Sequence, residues 1–474
     1  MSDAPFSRPP VERPRSLWRD LRASMAGERY DFTAGGLGRA IFLLSVPMVL
    51  EMFMQAIFEV ADIFFVGRLG ADAVAAVGLS ASLIILVFAV GIGLSMAAAA
   101  MVARRIGEGD EEGAAVAAVQ ALAVALVIAV PVAVVGIVFA PDLLRLMGAT
   151  EEVVAVGRGY CAWLFGGNVT ILFLFLTNAL FRGAGDAPLA MRALWIANLL
   201  NIALDPLFIF GWGAFPALGV TGAAIATTLG RGIGVSYQLV ALLRGRSRIH
   251  LRRRHFRLDV PVMRRLLKVS GTGILQYLIG TASWMGIMRI VAVFGSGAMA
   301  GYTIAVRVIV FALLPSWGLG NAAATLVGQN LGARRPDRAE RSVWITGLVN
   351  MVFLGLAAVL LQFIAEPVVG LFSPDPEVIR YGTTCLRIVS LSYVFWAYGM
   401  VVVQAFNGAG DTVTPSWINF VCFWILQIPL AYALALPLGL GPSGIFVAIA
   451  VAQSTLAVVS VFAFRRGRWR RQVI

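Results

Sequence analysis

Twelve long apolar segments recur along the chain, near 39–67, 73–103, 115–146, 153–181, 187–212, 217–243, 263–294, 298–330, 342–372, 378–406, 412–436 and 441–464. Each exceeds the ~20 residues a helix needs to cross about 30 Å of hydrocarbon. Strands of a membrane barrel would instead alternate polarity over ~10 residues. Only 13% of residues are charged, against roughly 25% in soluble domains. The chain therefore reads as an all-α integral membrane protein with twelve spanning helices.

A net charge of +13 and a pI near 10.6 raise nucleic acid as a partner, but the basic residues lie mostly in alternate loops. The N-terminal arm, the loops after spans 2, 4, 6, 8 and 10, and the C-terminal tail, taken with their adjoining span ends, hold 30 of the 38 Lys and Arg. The outer side, span ends included, holds only Arg68, Arg145, Arg158 and Arg380. The positive-inside rule explains that asymmetry, so nucleic acid is set aside and both termini are expected in the cytoplasm, with the protein in the inner membrane. Cys161, Cys385 and Cys422 are scattered singly and His250 and His255 share one loop, which supplies neither a disulfide framework nor a zinc site.

The second half repeats the first at an offset of 225 residues. FRGAGD at 181–186 matches FNGAGD at 406–411, MVARRIG at 101–107 matches LVGQNLG at 326–332, and GADAVAA at 70–76 matches GSGAMAG at 295–301. Six spans per half put both halves in the same orientation, and substrate sites of such folds lie near the midplane between repeats. The expected organisation is a disordered cytoplasmic arm (1–37), an N-lobe with helices 1–6 (38–243), a basic linker lying on headgroups (244–262), a C-lobe with helices 7–12 (263–465) and a basic tail (466–474). The paired GAGD loops read as turns whose Asp caps the next helix; they lack the Lys and strand context of a phosphate cradle.

Of 25 acidic residues, all but five lie in loops, tails or span ends: the exceptions are Glu51, Glu59, Asp62, Asp205 and, near the outer end of its span, Glu366. An acid at the centre of a spanning helix costs roughly 2.5–3.5 kcal/mol on insertion scales, so such acids are functional candidates. In EMFMQAIFEVAD, Glu51, Gln55, Glu59 and Asp62 share one helical face. Asn201 and Asp205 share a face of span 5, where Pro206 deprives the Ile202 carbonyl of its helical partner and is expected to kink or open the helix. These oxygens suit a small monovalent cation or a proton. The competing reading pairs the acids with intramembrane arginines, with Arg231 the nearest candidate. The second half has no acid between Asp259 and Asp337, and Leu426 and Leu430 stand where Asn201 and Asp205 would repeat.

At these residues the sequence resembles the MATE (multidrug and toxic compound extrusion) family from Gly38 to Arg465. The carrying features are Pro47 with ADIFFVGRLGADAVAAVG, MVARRIGEGDEEGAA with LVGQNLGARRPDRAE, the FRGAGD/FNGAGD pair, and NIALDPLFIFG followed by LGVTGAAIAT. The resemblance implies two six-helix bundles around a central cleft and export driven by H+ or Na+. In the prokaryotic branch similar to DNA-damage-inducible protein F, the cation pocket is in the N-lobe; Asp62, Asn201 and Asp205 correspond to its acids and amide, and Thr227 to its helix 6 threonine. Glu51, Gln55 and Glu59 would support that pocket, and Pro47 and Pro206 would act as hinges. The norfloxacin exporters place acids in the C-lobe, and this chain has none at that depth.

The resemblance implies a monomeric antiporter for cationic or amphiphilic organic compounds, with no cofactor beyond the coupling ion. Two alternatives are a flippase for lipid-linked sugars and a major-facilitator transporter; RRIGEGDEEG is a poor match to the Asp/Arg-rich loop of the latter. An intramembrane enzyme would need HExxH, paired Asp-rich motifs or a Ser/His arrangement, which the sequence lacks. Trp284, Trp317, Tyr393, Trp396, Tyr398, Trp417 and Trp424 enrich the second half in aromatic faces, which suit flat organic cations as well as lipid contact.

Overall fold

The computed structural model describes residues 17–28, 30–211, 216–472 and 474; the first sixteen residues of the expected arm lie outside them. Helix α1 (Leu17–Ala26) precedes α2 (Leu37–Gly67), α3 (Ala71–Gly107), α4 (Glu111–Val138), α5 (Ala140–Leu146), α6 (Glu151–Gly166), α7 (Asn168–Ala184), α8 (Ala187–Phe210) and α9 (Val220–Leu243). The second half holds α10 (Val260–Ala292), α11 (Ser296–Gly332), α12 (Pro336–Gly370), α13 (Pro376–Ser390), α14 (Tyr393–Gly408), α15 (Val413–Asn419), α16 (Ile428–Ala435) and α17 (Pro442–Arg465). Among the described residues nine helical stretches are long and apolar enough to cross a membrane singly, and the bent pairs α6/α7 and α13/α14 add two. The twelfth expected span is α9, 24 residues or about 36 Å long, which its glycines, threonines, Arg231 and Gln238 make less apolar than the rest. The spans form two six-helix bundles, α2–α9 and α10–α17.

The repeat is visible residue by residue. Helices α3 and α11 begin at Ala71 and Ser296 and end at Gly107 and Gly332, all at the 225-residue offset. The glycines that start them, Gly70 and Gly295, have φ of 98° and 93°, and the turn glycines Gly185 and Gly410 both have φ of 85°. Such left-handed turns favour a residue without Cβ. The bends recur too, 42° between α6 and α7 and 61° between α13 and α14.

Several expectations change. The third span stops at Val138 and restarts as α5, because Pro141 lacks an N–H and its ring crowds the preceding turn. The eleventh passes through a π-helical stretch, Phe420–Gln427, just before Pro429, which cannot donate to the carbonyl four residues back. Pro47 and Pro206, in contrast, sit inside the uninterrupted helices α2 and α8. The expected opening at Pro206 does not occur, because α9 braces the helix: a Cβ on Gly222 would stand 2.3 Å from the Phe208 carbonyl oxygen.

The segment expected to be a disordered arm contains α1, anchored by Arg39 to Asp20 at 3.1 Å and by Ser24 Oγ donating to the Leu43 carbonyl at 3.0 Å. The linker does not simply lie on headgroups. Ile249 and Leu251 are buried, Gln120 of α4 donates to the Arg257 carbonyl at 2.8 Å and accepts from Asp259 N at 3.2 Å, and His255 meets Glu112 at 2.5 Å. Asp411 caps as expected, accepting from Thr414 N at 3.0 Å. Asp186 instead reaches into the linker, accepting from Ser247 Oγ at 2.5 Å and Arg248 N at 2.8 Å.

The two bundles meet along a seam rich in glycine. A Cβ on Gly107 would stand 1.9 Å from the Gln329 carbonyl oxygen, one on Gly332 2.1 Å from that of Arg104, and one on Gly328 2.6 Å from the Cβ of Ala103. These contacts fall at the ends of α3 and α11 that carry Arg104, Arg105, Arg334 and Arg335. Two terminal segments lie over the same end. Arg335 donates to the Thr33 carbonyl at 2.7 Å, and Arg338 to those of Ala34 at 2.8 Å and Gly35 at 2.9 Å. Arg104 of α3 donates to the Gln472 carbonyl at 2.8 Å, below a buried Trp469 stacked on Phe464.

Candidate functional site

Of the intramembrane acids of the first bundle, Asp205 lies where α8 and α9 touch. Gly222, Gly230 and Gly234 line one face of α9, and Thr227 shares that face with Gly230, three residues on. A Cβ on Gly230 would stand 2.6 Å from the Ala197 carbonyl oxygen of α8, and one on Gly234 2.9 Å from the Ala197 Cβ. The absent side chains let α9 approach closely enough for Thr227 to reach Asn201.

The Asn201 amide is satisfied at both ends when its nitrogen faces Asp205. In that orientation it donates to Asp205 Oδ2 at 2.8 Å, while its oxygen accepts from Thr227 Oγ1 at 2.7 Å and Thr227 N at 2.9 Å. Asn201, Asp205 and Thr227 are all buried, Asp205 completely. Asp205 Oδ1 has no hydrogen-bond donor among the described residues. A buried carboxylate oxygen without a donor is costly unless it meets a proton or a cation.

Asp62, on α2, is half-buried and lies within electrostatic range of Asp205, Glu59 and Arg231. Among the described residues Arg231 forms no ion pair within 4 Å with Asp62 or Asp205, although it lies within electrostatic range of Asp62. Tyr160 of α6, which the sequence reading did not single out, is buried within electrostatic range of Asp62, Arg231 and Asp205. A lone Tyr in the apolar run VGRGYCAWLF carries no local signal of that role.

The rest of the α2 face divides. Asn198 Nδ2 donates to Gln55 Oε1 at 3.3 Å, and Gln55 Nε2 donates to Glu59 Oε1 at 3.2 Å, a polar line running along α2 toward Asp62. Glu59 itself is exposed. Glu51 is different: it is buried and paired with Arg182 of α7 at 2.7 Å, so for this acid the arginine-paired alternative is the one observed. It stands apart from the Asp205 cluster.

The second bundle has no counterpart. Leu426 and Leu430, at the repeat positions of Asn201 and Asp205, fall in the π-helical stretch and in α16. Among the described residues, the first bundle places a carboxylate, an amide and a hydroxyl in contact at Asp205, Asn201 and Thr227, with a second carboxylate, Asp62, in electrostatic range, oxygen donors that a small hard cation or a shared proton would use.

Known proteins share both the sequence and the fold. The MatE family model matches residues 47–207 and again 272–433, one copy per bundle. The "Probable multidrug resistance protein YoeA" of Bacillus subtilis is 26% identical over 443 residues, covering 92% of this chain and 95% of that protein. The "FAD transporter" of Shewanella oneidensis is 26% identical over 409 residues, covering 85% and 89%. A MATE crystal structure in the bent conformation aligns with a TM-score of 0.85 at 27% identity, covering 92% of this chain and 96% of that one. A MOP superfamily transporter from Pyrococcus furiosus, described by the reverse polarity of its binding pocket, aligns at 0.86 with 26% identity, covering 93% and 98%. With a family match in each half and the same fold across nearly its whole length, the chain belongs to the MatE family of membrane transporters.

Proposed function

We propose that this transporter exports amphiphilic or cationic organic compounds in exchange for H+ or Na+ bound in the N-lobe. The observation that carries the reading is Asp205: fully buried, with Oδ1 free of any donor among the described residues, beside Asn201 and Thr227 and within electrostatic range of Asp62. Loading a cation or proton there removes the unpaired charge and the repulsion between the two acids, and release restores both. Asp62 is on α2 beyond Pro47, so the loaded pocket relaxes α2 and lets it bend at Pro47. Related structures in bent and straight conformations support such a motion. The closed seam lies at the Arg-rich ends of α3 and α11, which the positive-inside rule assigns to the cytoplasm. The protein is thus read as a monomer of the inner membrane, cleft turned outward, both termini inside.

A second reading, export of an organic anion, is favoured by Arg289 and Arg307 in spans of a C-lobe that has no acid between Asp259 and Asp337. The "FAD transporter" relative points the same way. Everted vesicles under separately imposed pH and sodium gradients test both, with an organic-cation dye and a flavin nucleotide offered in turn. Gradient-driven dye uptake that is lost in Asp62→Asn and Asp205→Asn supports the first reading. Flavin uptake with dye excluded supports the second, and transport indifferent to both substitutions removes the N-lobe coupling site.

A further inference from the structure

Glu51, buried, and Arg182, half-buried, form an ion pair apart from the Asp205 cluster, and each residue is tied to a part that moves in the proposed cycle. Glu51 lies four residues beyond Pro47, one helical turn past the hinge of α2, so a bend at Pro47 carries Glu51 with it. Arg182 ends α7 in the FRGAGD motif, where its backbone holds the other bundle. Its carbonyl accepts from Thr325 Oγ1 at 3.0 Å, and the next carbonyl, Gly183, accepts from Gln329 Nε2 at 2.9 Å. Both donors belong to α11. Gly183 is also wedged against α3, since a Cβ there would stand 2.6 Å from the Ala99 carbonyl oxygen.

From this geometry we infer that Arg182 is the positioning residue that couples the straight form of α2 to closure of the seam between the bundles. The inference rests on the exporter reading above and adds the link between its ion site and its gate. A buried carboxylate cannot leave its guanidinium without either group finding new company. Bending α2 and freeing the Arg182 segment from α11 are therefore one event. The repeat supports a dedicated device: at the 225-residue offset Glu51 becomes Gln276 and Arg182 becomes Asn407, both uncharged. Asn407 donates instead to Gln404 Oε1 at 2.9 Å. A pair serving packing alone has no reason to be charged in one bundle and neutral in the other.

The test uses the full chain in lipid nanodiscs, with spin labels on Glu111→Cys and Arg341→Cys, exposed positions of the two bundles at the basic end; the native cysteines are buried. Distances report the open-to-closed ratio of the seam, and Asp205→Asn mimics the loaded site. With Arg182 present, Asp205→Asn is expected to shift that ratio by roughly 5- to 150-fold, and in Arg182→Gln by less than about twofold. Arg182→Lys restores the response, and in vesicles Arg182→Gln lowers the maximal efflux rate while leaving KM unmoved. The double variant Glu51→Gln/Arg182→Gln leaves no buried charge to unfold the protein and is expected to show the same lost response. A full response in Arg182→Gln or in the double variant overturns the inference while the coupling site stands. A parent protein that ignores Asp205→Asn overturns the coupling site and this inference together.

Discussion

Gly230 of α9 lies so close to α8 that a Cβ on it would stand 2.6 Å from the Ala197 carbonyl oxygen. That backbone-to-backbone approach fixes the spacing of Thr227 and Asn201, and through Asn201 the orientation of Asp205. Gly230→Ala is expected to push the helices apart at a cost of about 1–3 kcal/mol, lowering the melting temperature in detergent. Ion-driven transport is expected to fall more than that loss of stability accounts for. Coupled transport at the wild-type rate in Gly230→Ala would show that the approach is dispensable.

Thr227→Val keeps the shape of the side chain and removes its hydroxyl. Asn201 then retains only the backbone N–H of residue 227 as donor to its oxygen, and the pocket loses one hydrogen bond, worth about 0.5–1.5 kcal/mol. The ion concentration giving half-maximal transport should rise up to roughly tenfold, with the maximal rate little changed. Titrating the driving ion against dye efflux in proteoliposomes checks this.

The seam leaves no room for a side chain at Gly107, where a Cβ would stand 1.9 Å from the Gln329 carbonyl oxygen. A backbone atom cannot rotate away as a flexible side chain can. Gly107→Ala is therefore expected to hold the bundles apart at their basic ends, abolishing gradient-driven export while the protein still inserts and binds substrate. Spin-label distances across the seam should shift to the open value; an unchanged distance would count against the seam as the gate.

Arg338 clasps the Ala34 and Gly35 carbonyls from the opposite bundle, and the clasped segment runs directly into α2. Arg338→Ala is expected to loosen the segment, speeding thiol labelling of a Thr33→Cys reporter several-fold in nanodiscs. Hydrogen bonds from a charged group are worth about 1.5–3 kcal/mol when shielded, and the partial exposure of Arg338 places the effect at or below the lower end.

The membrane class, the repeat and the acidic cluster were legible because each rests on a local pattern. Apolar length reveals spans, the 225-residue offset reveals the duplication, and the four-residue spacing of Asn201 and Asp205 places both on one face. What escaped reading depends on distant partners. Nothing near Glu51 announces Arg182, 131 residues away, and nothing near Tyr160 announces Asp62. Pro206 misled in the opposite direction: its sequence signal is a break, but glycines on α9 brace α8 through it. Of the two bends, that at Gly166–Gly167 has a readable signal in its glycine pair, whereas its repeat at Leu391–Ser392 has none. Asp186 shows the same limit, since its local motif promises a cap and its carboxylate serves the linker.

Helices α3 and α11 each run 37 residues without a break and press together at their basic ends, where Gly107 meets Gln329 and Gly328 meets Ala103. A helix of that length measures about 55 Å, so a 10° tilt about the touching end sweeps the far tip through roughly 10 Å. In the proposed export cycle the pair would work as tongs gripped near the pivot: sub-ångström adjustments among a few glycines would translate into a mouth wide enough for a small organic molecule, with no need to unwind either arm.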